Sequence, residues 1–67
     1  MLKATMLDLL REYEDLAYRR AYNEHYIVKK DCYLQMEKIK GKLEAYTSPA
    51  IVEDICNHIE ESILGEA

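Results

Sequence analysis

The stretch from Leu2 to Tyr46 contains one glycine and no proline, and this scarcity of helix-breaking residues constrains the fold more than any other feature. Its mainly apolar positions recur at alternating steps of three and four, close to the 3.6-residue period of an α-helix. These positions are Met6, Leu10, Tyr13, Ala17, Ala21, His25, Val28, Cys32, Met36, Ile39, Leu43 and Tyr46. The spacing predicts helix over about residues 3–46.

The centre of this apolar stripe moves about a quarter turn around the helix between Arg19 and Ile27, at ~100° per residue. Two interpretations follow from the shift. One is an unbroken helix, about 65 Å long at ~1.5 Å per residue, that meets different partners along its length. The other is a break near Asn23, because asparagine tolerates the left-handed conformation. Since no Gly or Pro forces a break there, we favour the unbroken helix.

Thr47, Ser48 and Pro49 form the clearest boundary in the chain. Proline disfavours helix in the residue before it and suits the first helical position, while serine suits the N-cap. The sequence therefore predicts a short second helix over about residues 49–64, ended by Gly65. Its apolar side consists of Ile51, Val52, Ile55, Cys56, Ile59 and Ile63.

These elements predict a single all-α domain over residues 1–67, a helical hairpin in which the short helix packs antiparallel on the second half of the long one. The first half then has no partner within the chain, which predicts homodimerisation into a helical bundle. The expected dimerisation residues are Leu2, Met6, Leu9, Leu10, Tyr13 and Leu16. If the long helix breaks near Asn23, the alternative is a monomeric three-helix bundle.

The sequence shows neither a signal peptide nor a membrane span, and we therefore expect a cytoplasmic protein. The net charge is −4, and residues 47–67 carry five acidic side chains with no Lys or Arg. No apolar run approaches the ~18 residues of a membrane span, and we expect no secretory leader. Cys32 and Cys56 both fall on apolar helix positions, which favours two buried thiols over a disulfide.

Aromatic and charged side chains suggest where a partner would bind. All six aromatic residues are tyrosines, and three of them follow one another at i, i+4 and i+8. This row is either an exposed surface for a partner or a second face buried in a dimer. Tyrosine suits binding because it gives contact area at low entropic cost. The expected partner-binding residues are Tyr18, Arg19, Tyr22, Tyr26, Glu53, Asp54, Glu60 and Glu61.

The chain carries no recognisable catalytic arrangement. Cys56 and His58 are two residues apart on a helix and therefore face different directions, so they do not form a nucleophile–base pair. Neither His25 nor His58 belongs to a set of metal ligands, and we expect no metal and no cofactor. The sequence predicts a small non-enzymatic protein-interaction module, such as an adaptor, inhibitor, small chaperone or regulatory subunit.

Basic residues beside the tyrosines leave a second possibility. Cations interleaved with aromatic rings can bind nucleic acid, which gives the alternative of a small dimeric nucleic-acid-binding regulator. That regulator would use Arg19, Arg20, Lys29 and Lys30. We favour a protein partner because Asp15, Glu24 and Asp31 neutralise much of this charge.

Overall fold

The computed structural model describes the backbone of residues 2–66 and the side chains of residues 5–65. Over that range the chain forms three α-helices, α1 (Leu2–Tyr22), α2 (Tyr26–Leu43) and α3 (Pro49–Glu66), and no strand. The all-α prediction is therefore confirmed. The three-helix alternative fits the element order.

The unbroken long helix that we favour from the sequence is wrong, because the chain leaves the helix at residues 23–25. His25 is extended, with φ −75° and ψ 121°. The Asn23 side chain holds the turn, since its Oδ1 accepts a hydrogen bond from the His25 backbone N–H at 2.9 Å. Asparagine thus ends the helix by offering the backbone a competing local acceptor, without needing a left-handed residue.

Burial supplies the larger reason for the break. The residues that follow it, Tyr26, Ile27 and Val28, are only moderate helix formers. Folding α2 back onto α1 buries apolar side chains that an extended helix would leave in water, at ~1.5–3 kcal/mol for each large side chain. The resulting bundle measures 35 × 22 × 20 Å, far shorter than the rod of about 65 Å.

The core is formed by one face of each helix. Its buried residues are Tyr13, Leu16 and Ala17 of α1, Cys32, Met36, Ile39 and Leu43 of α2, and Val52, Cys56 and Ile63 of α3. Helix α1 packs most extensively against α2 and next against α3, whereas α2 and α3 make the smallest contact. The short linker predicts that α3 packs mainly on α2, but α3 packs mainly on α1 and less on α2.

The start of α3 confirms the boundary expected from the sequence. The Ile51 backbone N–H donates to Ser48 Oγ at 3.3 Å, and the Val52 N–H donates to the Ser48 carbonyl at 3.0 Å. Ser48 is therefore the N-cap. At the other end Gly65 lies inside the helix, which ends at Glu66, two residues later than expected.

Both cysteines are buried free thiols, as predicted, with Cys32 and Cys56 in the core and no disulfide between them. No helix within residues 2–66 combines the length and the apolar character needed to cross a membrane.

Candidate functional site

An open groove of about 710 Å³ runs between the first half of α2 and the last turns of α3, with α1 forming its floor. Its lining residues are Ala17, Arg20 and Ala21 of α1, Tyr26, Lys29, Lys30, Tyr33 and Met36 of α2, and Glu60, Ile63 and Leu64 of α3. We call this feature the α2–α3 groove. It lies between α2 and α3, the two helices that contact each other least, and part of α1 is accessible between them.

Helical spacing explains why these side chains share one surface. The α1 and α3 residues are each spaced i, i+3 and i+4, and the first four α2 residues are spaced i, i+3, i+4 and i+7. Residues at these intervals lie on one face of a helix. Each of the three helices therefore contributes one face to the groove.

The bottom of the groove is apolar and is formed by buried or small side chains. Met36 and Ile63 are 2% and 7% exposed and belong to the core. Ala17 and Ala21 contribute only methyl groups, so the α1 backbone stays close to the surface. A ligand that enters the groove would therefore meet hydrocarbon at its deepest point.

The rim of the groove is positively charged, although the chain as a whole is acidic. Three cations, Arg20, Lys29 and Lys30, face one carboxylate, Glu60, which gives the lining a formal net charge of +2. The chain itself carries −4. The groove lining is thus positive in a chain that is acidic as a whole.

Arg20 is fixed in place from two sides. Its Nη1 lies 3.7 Å from Glu60 Oε1, and its guanidinium carbon lies 5.1 Å from the centroid of the Tyr33 ring. Both ion-pair partners are partly solvent-exposed, so the bridge itself contributes little stability. Its consequence is geometric, because the guanidinium lies over the Tyr33 ring at the rim of the groove.

The expected partner-binding residues Tyr18, Arg19, Tyr22 and Tyr26 do not form one surface in the fold. Of these four, only Tyr26 lines the α2–α3 groove. Tyr18 and Tyr22 contact each other instead, with ring centroids 4.5 Å apart and planes tilted by 35°. Arg19 turns to solvent and pairs with Asp15 at 3.2 Å.

Tyr18 lines a second groove of about 330 Å³ between α1 and α3, together with Glu14 and His58. The expected acidic surface is also divided. Glu53, Asp54 and Glu61 are exposed, whereas Glu60 belongs to the wall of the α2–α3 groove.

The face expected to mediate dimerisation is largely used within one chain. Tyr13 and Leu16 are core residues, at 0% and 5% exposure. Met6, Leu9 and Leu10 are partly buried against the same core. The Leu2 side chain lies outside the described residues. We predict the dimer because the first half of the expected long helix has no partner within the chain. In the three-helix arrangement that half is α1, which packs against α2 and α3, so this reason for a dimer no longer applies.

Tyr13 carries the most unusual chemical environment in the molecule. Within residues 5–65 its hydroxyl is the one buried side-chain polar group with no hydrogen-bond partner. Burial raises the pKa of Tyr13 well above its usual range, and nearby Cys56 and Glu60 raise it further. Burial also raises the pKa of the Cys56 thiol. Both groups therefore stay protonated, which makes them poor nucleophiles and poor bases at neutral pH.

Sequence reasoning missed the groove as a unit, although one signal for it was present. Tyr26, Lys29, Lys30 and Tyr33 alternate aromatic and basic residues on a single helical face. The contributions of α1 and α3 could not be found in this way, because only the turn at residues 23–25 brings those helices beside α2.

No group of three or more His, Cys, Asp or Glu side chains that could hold a metal ion occurs in the described part of the chain. The chain matches no protein-family model, no curated protein and no solved structure at a significant level.

Proposed function

We propose that this protein is a small cytoplasmic, non-enzymatic protein-interaction module, an adaptor, inhibitor, small chaperone or regulatory subunit, and that the α2–α3 groove is its binding site. The observation that carries the proposal is the combination of an apolar floor with a rim of arginine, lysine and tyrosine. Binding energy at protein interfaces concentrates in buried apolar pockets edged by tyrosine and arginine.

The exposed rim residues support this assignment. Tyr26 and Leu64 are 74% and 65% exposed, although both are large and border the apolar floor. A contiguous apolar surface rimmed by polar groups is typical of a site that another molecule covers. A partner seated in the groove would bury these two side chains above Met36 and Ile63, which are already almost fully buried.

Self-association forms a weaker part of the proposal. Homodimerisation through the N-terminal face would now depend on Met6, Leu9 and Leu10, because Tyr13 and Leu16 are already buried within one chain. Leu7, at 54% exposure, could extend that surface.

A second candidate is a small dimeric nucleic-acid-binding regulator. The observation in its favour is that three of the four expected cations line the groove with two tyrosines, which resembles a cation-and-stacking surface for single strands. Arg19 lies outside this groove. The exposed carboxylates of Glu53, Asp54 and Glu61 would repel a phosphate backbone, so we rank this candidate second.

A comparison of two matched variants tests the proposal. Ala21→Gln adds a longer side chain to the floor of the groove, whereas Ala50→Gln makes the same change at an exposed position at the start of α3. Both residues are helix formers, and circular dichroism would check that each variant folds. The tagged wild-type chain and both variants would be used to recover partners from a lysate of the source cell, with and without nuclease.

We expect a discrete protein that survives nuclease treatment, is retained by Ala50→Gln and is lost with Ala21→Gln. Equal recovery by both variants would show that the groove is not the binding site. Recovery of nucleic acid that is released at moderate salt would move the assignment to the second candidate, because phosphate contacts weaken steeply with ionic strength.

A further inference from the structure

We infer that the segment bound by the α2–α3 groove is an acidic amphipathic α-helix, which packs between α2 and α3 as a fourth helix of the bundle. This inference rests on the proposed function and adds the chemistry of the partner. Three observations carry it: the three helical faces that line the groove, the apolar character of its floor, and the charge of its rim.

The groove is bordered by one face each of α1, α2 and α3, so a helix laid in it would contact all three. The α2 wall from Tyr26 to Tyr33 extends about 10 Å at ~1.5 Å per residue, and the α1 and α3 residues each extend about 6 Å. These lengths match one to two turns of a bound helix. A helix laid along such a groove converts three helices into a four-helix arrangement.

The floor specifies apolar side chains at helical spacing. Ala17 and Ala21 keep the surface low, while Met36 and Ile63 present hydrocarbon above the core. A bound helix would fill this space with large apolar residues at i, i+3 or i+4, and i+7, the anchors of helix-in-groove recognition.

The rim specifies acidic residues beside those anchors. Lys29 and Lys30 make no ion pair with any described carboxylate, whereas the nearby Arg20 is paired with Glu60. Two unpaired ammonium groups on the rim of an apolar groove match carboxylates that flank an apolar stripe. A basic helix would instead face three cations and one carboxylate.

The test uses two synthetic fluorescent helical peptides with the same apolar stripe, one carrying glutamate at its flanking positions and the other carrying lysine. Binding to the full chain would be measured by fluorescence anisotropy at 150 mM salt, a condition under which distant charges are screened. The decisive variant is Lys29→Glu with Lys30→Glu. Its control is Lys38→Glu with Lys42→Glu, which makes the same change in net charge at exposed α2 positions that do not line the groove.

We expect the acidic peptide to bind and the basic peptide to bind at least about tenfold more weakly. Reversing the charge of Lys29 and Lys30 should weaken the affinity for the acidic peptide about tenfold or more. Each reversal removes an attraction worth a few-fold in affinity and replaces it with a repulsion. The control variant should change its affinity by less than about threefold. Loss of binding in the Ala21→Gln variant would place the peptide in the groove.

Four outcomes would overturn the inference. Equal binding of both peptides would remove the charge preference, and equal weakening by the two charge-reversal variants would show non-specific attraction. Binding of neither peptide, together with a lysate partner that Ala21→Gln abolishes, would refute the acidic helix while leaving the proposed function intact. Displacement of the acidic peptide by a single-stranded oligonucleotide at lower concentration than by unlabelled peptide would instead assign the groove to nucleic acid.

Discussion

Replacing Tyr13 by phenylalanine should raise the free energy of unfolding, although the residue is the largest side chain in the core. The ring is fully buried, and its hydroxyl finds no hydrogen-bond partner within residues 5–65. A buried polar group left unpaired costs about 1–3 kcal/mol. Tyr13→Phe removes that group and keeps the ring, so we expect a gain of about 1 kcal/mol at pH 7. For a domain of this size the gain raises Tm by about 4–8 °C.

The gain should grow in alkaline solution. Because burial raises the pKa of Tyr13 in the folded chain, the unfolded chain releases this proton first as the pH rises. The wild-type chain should therefore be fully stabilised below about pH 10, the usual tyrosine value, and lose about 1.4 kcal/mol by pH 11. Tyr13→Phe lacks this loss. Burial raises the pKa of Cys56 in both proteins, so both decline from about pH 8.5. The decline is somewhat larger in Tyr13→Phe, because the Tyr13 hydroxyl lowers the Cys56 pKa in the wild-type chain.

Urea denaturation at a series of pH values from 7 to 11, followed by circular dichroism, would measure this difference. Tyr26→Phe is the matched control, because it removes the hydroxyl of a tyrosine that is 74% exposed. The control should follow the wild-type curve. A destabilisation of more than about 1 kcal/mol by Tyr13→Phe at pH 7 would refute the reasoning, since the hydroxyl would then have a productive hydrogen bond, with Cys56 or Glu60 as the nearest candidates.

Two further substitutions test the local account of the helices. Gly41→Ala should raise the free energy of unfolding by about 0.5–1 kcal/mol, because Gly41 is helical and nothing lies within 4 Å of an added methyl group; an unchanged or lower urea midpoint would contradict this. Asn23→Ala should lower the free energy of unfolding by about 0.5–1.5 kcal/mol through loss of the bond to the His25 N–H. The exposed Asn57→Ala serves as its control, and a higher urea midpoint for Asn23→Ala would show that Asn23 does not determine the turn.

The sequence predicts the secondary structure well where local signals are strong. Ser48 and Pro49 announce the start of α3, and the structure contains the predicted N-cap. The same reasoning fails at Asn23, because an asparagine turn with an extended His25 needs neither glycine nor proline. The decision between one helix and two depends on burial between distant residues, and helical periodicity carries no information about that.

The candidate site was harder to predict than the helices, for a related reason. The α2 wall can be read from the pattern of Tyr26, Lys29, Lys30 and Tyr33. Glu60 instead counts as part of an acidic outer face until the fold brings it within 3.7 Å of Arg20. Equal spacing along a helix fixes which residues share a face, but packing decides which faces meet and which stay open.

The small contact between α2 and α3 leaves the α2–α3 groove open. A ligand that fills this groove binds the folded chain and not the unfolded chain. Such a ligand adds about 2.7 kcal/mol to the free energy of unfolding when it is present at about 100 times its dissociation constant. Degradation by cellular proteases follows the population of opened chains. If the proposed partner fills the groove, unbound copies would be removed first, and the lifetime of this protein would follow the supply of that partner.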